Sequence, residues 1–213
     1  MAMQVGDRKG AISAMNVTPL AGPGFSRLLF VGPLTYEPNR LAVEWLVREI
    51  MPRIRRDGVY DAELVVVGEN RGIRIPRSDE PWIRFTGWVP DVTPFYTRAT
   101  VAVTPLHSGG GTRLKVIEAL ARCVPLVSTS FGCHGFGLIE GVDLLVADEA
   151  PAFAAACVTL LTDEGVRERL ITAGRTRYDG ALTAEFTSRS VAELANDTLA
   201  KYAEAPSESP EPS

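Results

Sequence analysis

Short, unbroken apolar runs recur along this chain, and the stretches between them have helical period. Leu28-Leu29-Phe30-Val31, Leu64-Val65-Val66-Val67 and Val101-Ala102-Val103 carry no polar side chain. A strand with one wet face alternates polar and apolar residues. A strand without alternation is buried on both faces, as in a parallel sheet covered by helices. After the first run comes Asn39, a residue type that caps helices. Leu41, Trp45, Leu46, Ile50 and Ile54 then recur at helical spacing. Buried strands joined by helices imply an α/β, doubly wound parallel sheet with helices on both faces.

The remaining elements follow the same rules. Trp82-Ile83-Arg84-Phe85 reads as a third strand, and Asp91 as the cap of a short helix reaching Ala99. A fourth strand covers 100–104, a helix 112–122, a fifth strand 125–128 and a sixth 143–146. Asp148 is read as the cap of a helix over 151–161, with Pro151 in the first turn where proline is tolerated. Further helices are expected over 164–173, stopped at Gly174, and over 184–203, capped by Thr183. Residues 1–26 read as a flexible lead-in, 27–204 as one domain, and the Pro/Ser/Glu-rich 205–213 as a disordered tail.

Composition excludes several classes. A net charge of −4 offers no broad basic field for nucleic acid, while 46% hydrophobic residues suffice for a core. The longest apolar run, 152–161, is too short for a transmembrane segment. No basic, apolar, small-residue signal pattern stands at the start of the chain. Cys123, Cys133 and Cys157 are odd in number and lack Cys-x-x-Cys spacing, which argues for a reducing compartment and against a zinc site. The expectation is a cytoplasmic protein, with peripheral contact at a membrane left open.

Glycines gather at the ends of the strands: Gly32, Gly68, Gly87, Gly109 to Gly111, and Gly132 to Gly137. In doubly wound sheets ligands bind at that edge. The densest stretch is Thr104-Pro-Leu-His-Ser-Gly-Gly-Gly-Thr-Arg-Leu-Lys-Val-Ile-Glu118. A strand, a glycine loop and a helix start in that order present backbone N–H groups to an anion. Leu114, Ile117, Ala121 and Val124 should face the sheet, while Thr112, Lys115 and Glu118 share another face at spacing three. A nucleotide diphosphate-sugar asks for such a face: N–H groups and a cation for phosphate, a carboxylate for the ribose diol. A solvated Lys115–Glu118 pair satisfies the same spacing, and spacing alone does not separate the two. His107 precedes the loop and His134 lies in the second glycine-rich loop; each could face a ligand or be an ordinary loop residue. Trp45 and Trp82 fit packing positions, and Trp88 fits either base stacking or packing.

Pro-Leu-x-x-Gly-Gly-Gly-Thr-Arg-Leu-Lys-Val-Ile-Glu-Ala-Leu-Ala, continued by Val-Pro-Leu-Val-Ser-Thr, resembles the donor-site motif of family-four (group 1) retaining glycosyltransferases. Phe-Val-Gly at 30–32 with Pro38-Asn39, Val-Val-Gly at 66–68, and Phe-Thr-Gly-Trp-Val-Pro-Asp at 85–91 agree with it in order and distance. The resemblance covers about residues 27–200 and implies the Rossmann-like C-terminal, donor-binding half of a GT-B fold. It implies that Glu118 holds the ribose hydroxyls. Gly109, Gly110, Gly111, Thr112, Arg113 and Leu114 would hold diphosphate and sugar, and the chain near Val89 the base. His107 is a further candidate.

Two features depart from the family pattern. A second carboxylate, often found eight residues before the ribose Glu, is Gly110 here; an upstream Arg and Lys fall at Pro33 and Pro38. Arg113 and Lys115 are therefore the candidates for the phosphate charge and for catalysis. The resemblance implies no metal or other cofactor, a UDP- or GDP-hexose as donor substrate, and an N-terminal acceptor domain supplied by sequence outside this chain. Two other readings compete. One is a non-catalytic nucleotide-binding or assembly module that keeps the half-fold. The other is a dehydrogenase, against which stands the lack of Gly-x-Gly-x-x-Gly after the first strand: Gly32-Pro33-Leu34 cannot make that turn.

Overall fold

The structure is a computed structural model that describes residues 26–77, 79–110 and 113–182. The lead-in up to residue 25, the expected helix over 184–203 and the tail over 205–213 lie outside the described residues.

Six parallel strands form one sheet: β1 (Arg27–Val31), β2 (Glu63–Val67), β3 (Ile83–Phe85), β4 (Val101–Thr104), β5 (Leu126–Ser128) and β6 (Leu145–Val146). Their spatial order is β3-β2-β1-β4-β5-β6. In register, Leu28 and Leu29 lie beside Leu64 and Val65 on one side and beside Val101 and Ala102 on the other. The chain builds outward from β1 through β2 to β3. It then crosses back to lay β4 against the free side of β1. This reversal opens a crevice beyond the carboxyl ends of β1 and β4, where doubly wound folds take ligands.

The apolar runs are continuous because alternate residues feed two separate cores. Leu28, Phe30, Leu64, Val66, Val101 and Val103 face one layer. That layer contains helix α1 (Glu37–Trp45), a π turn (Leu46–Ile50), helix α2 (Met51–Arg56) and helix α6 (Ala150–Thr162). Leu29, Val65, Val67, Ala102 and Leu126 face the other, with Tyr96 from helix α3 (Thr93–Thr97) and the buried face of helix α4 (Leu114–Ala121). The π turn sits just ahead of Pro52. Proline has no N–H and crowds the preceding turn, so the helix widens there before resuming.

Several local expectations are corrected. Asn39 does not cap a helix: α1 begins at Glu37, and Asn39 is a buried residue of its first turn. Helix α4 starts at Leu114 rather than Thr112, because Arg113 still has non-helical backbone angles (φ −78°, ψ 64°). Its buried residues are Val116, Ile117, Ala119 and Leu120, whereas Leu114 is 42% exposed. The face thus lies about one residue round from the one expected. Asp148 does not cap α6. Its carboxylate accepts from the N–H and hydroxyl of Ser130 at 2.8 and 2.7 Å, at the start of the unexpected short helix α5 (Ser130–Cys133).

Gly174 does not end helix α7 (Glu164–Arg177), which runs through it. A Cβ at that glycine would stand 2.8 Å from Leu120 Cδ2 and 3.1 Å from the carbonyl oxygen of Asp143. The small residue therefore permits close packing instead of marking a stop. The sixth strand is only Leu145–Val146, shorter than the 143–146 expected.

Candidate functional site

Two loops meet across the crevice. The loop after β1 ends at Tyr36, with Pro38 in the first turn of α1; the loop after β4 carries Gly109 and Gly110. The Tyr36 hydroxyl accepts from the Gly110 N–H at 2.8 Å and donates to the Gly110 carbonyl at 3.3 Å. Gly109 has φ +122°, and a Cβ there would stand 2.6 Å from the Tyr36 hydroxyl and 3.1 Å from Pro38. Only glycine allows this backbone angle and this approach together. The loop is tied from beneath by Thr129, whose hydroxyl donates to the Leu106 carbonyl and accepts from the Gly132 N–H at 3.0 Å. Gly111 and Thr112 lie outside the described residues.

Helix α4 places its first-turn lysine in the crevice. Lys115 Nζ donates to Asn39 Oδ1 at 2.6 Å and sits 4.5 Å from the centre of the Phe30 ring. Asn39 Nδ2 in turn donates to the Pro33 carbonyl at 2.9 Å. Burial pulls the Lys115 ammonium down to about 7, against the opposing pull of Glu118. The ammonium is thus held by a neutral amide and a ring face.

One turn on, Glu118 keeps the expected shared face with Lys115. Its Oε2 accepts from the Tyr96 hydroxyl at 3.1 Å, and its Oε1 lies 3.8 Å from Arg122. The Arg122 guanidinium stacks over the Tyr96 ring at 4.9 Å. Burial, followed by the neighbouring carboxylate, pushes the Tyr96 phenol up, so it stays a donor. Each Glu118 oxygen retains acceptor capacity, since a carboxylate has about four lone-pair sites.

Arg113 points elsewhere. Its guanidinium lies 4.5 Å over the Phe131 ring, beside α5. Among the described residues, neither Arg113 Nε nor the buried hydroxyl of Thr104 at the end of β4 has a hydrogen-bond partner. His107 is exposed and meets Trp45 edge-on at 4.8 Å; Trp45 continues to Phe153 at 5.2 Å. That stack runs into the core of the α1–α6 layer, so the His107 ring leans on packing. His134 is exposed at the end of α5. Trp82 is buried, with Arg55 over its ring at 5.9 Å. Trp88 is 73% exposed and so is not core. Val89 is half-buried against the α3–α4 layer beyond the end of β3, on the same sheet edge as Gly32, Gly68 and Gly87. Gly68 donates its N–H to the Gly87 carbonyl at 3.0 Å.

Lys115, Glu118, Gly109, Gly110 and Leu114 are therefore brought together at the switch point. Arg113 flanks them against Phe131, and the His107 ring packs on Trp45. Asn39, Tyr36 and Tyr96 touch these candidates as well, which the sequence pattern does not indicate. Asn39 has the residue type of a cap, and Tyr96 contacts Glu118 from an element 22 positions away, a pairing that periodicity does not reveal. A cavity of about 370 Å³ lies elsewhere, lined by Val142, Asp143, Ala173, Thr176, Arg177 and Gly180. The switch-point crevice, by contrast, holds the Lys115 amine and the glycine loop. Among the described residues, no group of three or more His, Cys, Asp or Glu could hold a metal, and no helix is long and apolar enough to cross a membrane.

This is a Rossmann-like α/β domain with a cation, a carboxylate and a glycine loop at its switch point. Residues 26–163 match the family described as "Glycosyl transferases group 1", and the chain belongs to that family. A curated relative, an uncharacterized 44.6 kDa protein in the cps region of Klebsiella pneumoniae, is 24% identical over 136 residues. That alignment takes 60% of this chain but 35% of the relative, so the chain spans about a third of its length.

The fold also matches the C-terminal domain of the group 1 glycosyl transferase LpcC from Francisella tularensis, with TM-score 0.56 and 16% identity over 74% of this chain and 86% of that one. HepE from Anabaena, solved with UDP and glucose, matches at TM-score 0.57 and 12% identity over 83% of this chain and 48% of that one. The fold is that of the C-terminal half of a GT-B glycosyltransferase.

Proposed function

We propose that this chain is the donor-binding half of a retaining glycosyltransferase, taking a hexosyl unit from UDP- or GDP-hexose to an acceptor sugar or lipid-linked glycan. The observation that carries the reading is Lys115, a cation held in the switch-point crevice by neutral partners, one turn from a carboxylate and beside a glycine loop. In this reading the diphosphate lies between the loop's backbone N–H groups and Lys115. Glu118, steadied by Tyr96 and Arg122, accepts from the two ribose hydroxyls. Arg113 would have to leave Phe131 to join it. Leu114 and the chain near Val89 border the sugar and the base.

As the sugar departs, negative charge grows on the diphosphate. Preformed N–H dipoles and a desolvated ammonium stabilise that charge in place of a metal. An N-terminal acceptor domain completes the cleft in this proposal. The cps-region relative supports a role in bacterial-type polysaccharide assembly, on the cytoplasmic side where nucleotide-sugars are made.

Calorimetric titration of the chain with UDP, GDP and ADP tests the reading. Binding of UDP or GDP, lost in Glu118→Ala, is expected; no heat from any of the three would overturn it. The chain alone should transfer no sugar, and measurable turnover on any acceptor would contradict the half-enzyme view.

A further inference from the structure

The chain has three lysines, Lys9, Lys115 and Lys201, against nineteen arginines. Between residues 26 and 182, where a surface cation is wanted, the chain uses arginine. At the switch point it uses lysine, whose charge is compact and which titrates when desolvated. An arginine in this place would stay charged at every physiological pH. The lysine is also not free to choose its direction. Asn39 is 4% exposed and makes two hydrogen bonds with its one carboxamide: Nδ2 to the Pro33 carbonyl at 2.9 Å and Oδ1 from Lys115 Nζ at 2.6 Å. The first bond fixes the amide's orientation, so its oxygen has to face α4.

A Cβ on Gly32 would stand 2.7 Å from Asn39 Nδ2, so the strand's terminal glycine clears the space that the amide fills. The Phe30 ring forms a further wall, 4.5 Å from the ammonium. Among the described residues, Glu118 on the same helix is the charged group that acts on Lys115. Left without Asn39, a flexible lysine would turn toward Glu118, where the two charges would cancel.

We propose that Asn39 is a positioning residue: its amide spans the switch point from the Pro33 carbonyl to Lys115 and holds the ammonium apart from Glu118, available to an anionic diphosphate. The proposal rests on the donor-site reading, and it adds a residue and a division of labour to it. A neutral partner is required for the role. An amide oxygen orients the ammonium without neutralising it, whereas a carboxylate would consume the charge that the diphosphate needs. Binding of a diphosphate then draws a proton onto Lys115, because an anion alongside favours the charged form.

The test uses the full chain labelled with [ε-13C]lysine, whose NMR spectrum contains three lysine signals, and Lys115→Met identifies the one that matters. In the unliganded protein, Asn39→Asp should move the Lys115 titration upward by at least about one pH unit, as a new anion in contact does. Asn39→Asp should also weaken UDP or GDP binding by roughly tenfold or more, since the new carboxylate both neutralises Lys115 and repels phosphate.

Asn39→Ala should weaken binding about as much as Lys115→Met. The double variant should be no weaker than Lys115→Met alone, because both changes break one interaction. Asn39→Ala also serves if Asn39→Asp does not fold. An unmoved Lys115 titration in Asn39→Asp, or losses that multiply in the double variant, overturns the proposal. A shifted Lys115 titration in a protein that binds no nucleotide confirms the contact and overturns the donor-site reading instead.

Discussion

Asp143 and Lys115 both have ionisable side chains taken out of water, and the chain treats them in opposite ways. Asp143 has 2% of its side chain exposed. One of its oxygens accepts from Arg177 Nε at 3.2 Å and from the Ile139 N–H at 2.8 Å. Opposite charge and hydrogen bonds meet it within the chain, next to the cavity against α7. Lys115 is met by a carboxamide and a ring, with its carboxylate neighbour turned to a tyrosine and an arginine. The Asp143 site is electrically closed and belongs to the architecture, joining the β6 approach to α7. The Lys115 site is electrically open and is completed by an anion. Desolvation is costly in both, but only the first has its compensation built into the fold.

The largest effect should come from breaking the closed site. Asp143→Ala strands Arg177 and the Ile139 N–H, and should destabilise the chain by about 3 kcal/mol in denaturant melts. Its nucleotide affinity in the folded state should not change. A comparable loss of affinity would erase the distinction between the two places.

Removing the open-site charge should do the reverse. Lys115→Met should stabilise the unliganded protein at neutral pH by on the order of 2 kcal/mol, because it deletes a desolvated cation. The sign with pH follows from the depressed ammonium. Between about 7 and its unfolded value near 10, the unfolded chain holds the extra proton, so raising the pH relieves the penalty on the wild type. The advantage of Lys115→Met should therefore be full below pH 7 and shrink toward pH 10. A destabilised Lys115→Met, or an advantage that grows with pH, would show that the lysine is a structural partner like Asp143.

The smallest effect belongs to Tyr96→Phe. Removing its hydroxyl should cost about 1 kcal/mol of stability. It should lower nucleotide affinity several-fold, because Glu118 loses the donor that aims Oε2. Unchanged affinity would mean that Glu118 is oriented by Arg122 alone.

The difference between the two places also explains what could be read from the chain. The strands were legible because each residue of a run such as Leu64 to Val67 is buried in one core or the other, leaving no polar alternation. The placement of Lys115 and Glu118 on one face was legible because helical spacing alone sets it. What filled the crevice was not. Asn39 is of a type that caps helices, and only the tertiary approach of Lys115, 76 residues away, gives its amide another task.

Gly174 reads as a stop, but it lies inside α7 with Leu120 and Asp143 packed against it. Asp148 was spent on Ser130 instead of on the helix that follows it. Leu114 reads as apolar and therefore inward, but the glycine loop delays the start of α4 and leaves it outward. Local pattern determines the elements, while partners distant in sequence decide the hydrogen bonds of polar residues at their ends.

The central claim, that the switch-point crevice is built for a nucleotide diphosphate, is tested most directly by thermal melting of the chain with and without saturating UDP, GDP and ADP. At about a hundred times the dissociation constant, one site contributes roughly 2.7 kcal/mol, or a rise of roughly 5 to 10 °C for a domain of this size. The account predicts such a rise with UDP or GDP, reduced to a small residue by Glu118→Ala. Melting temperatures that stay flat with all three nucleotides would contradict it.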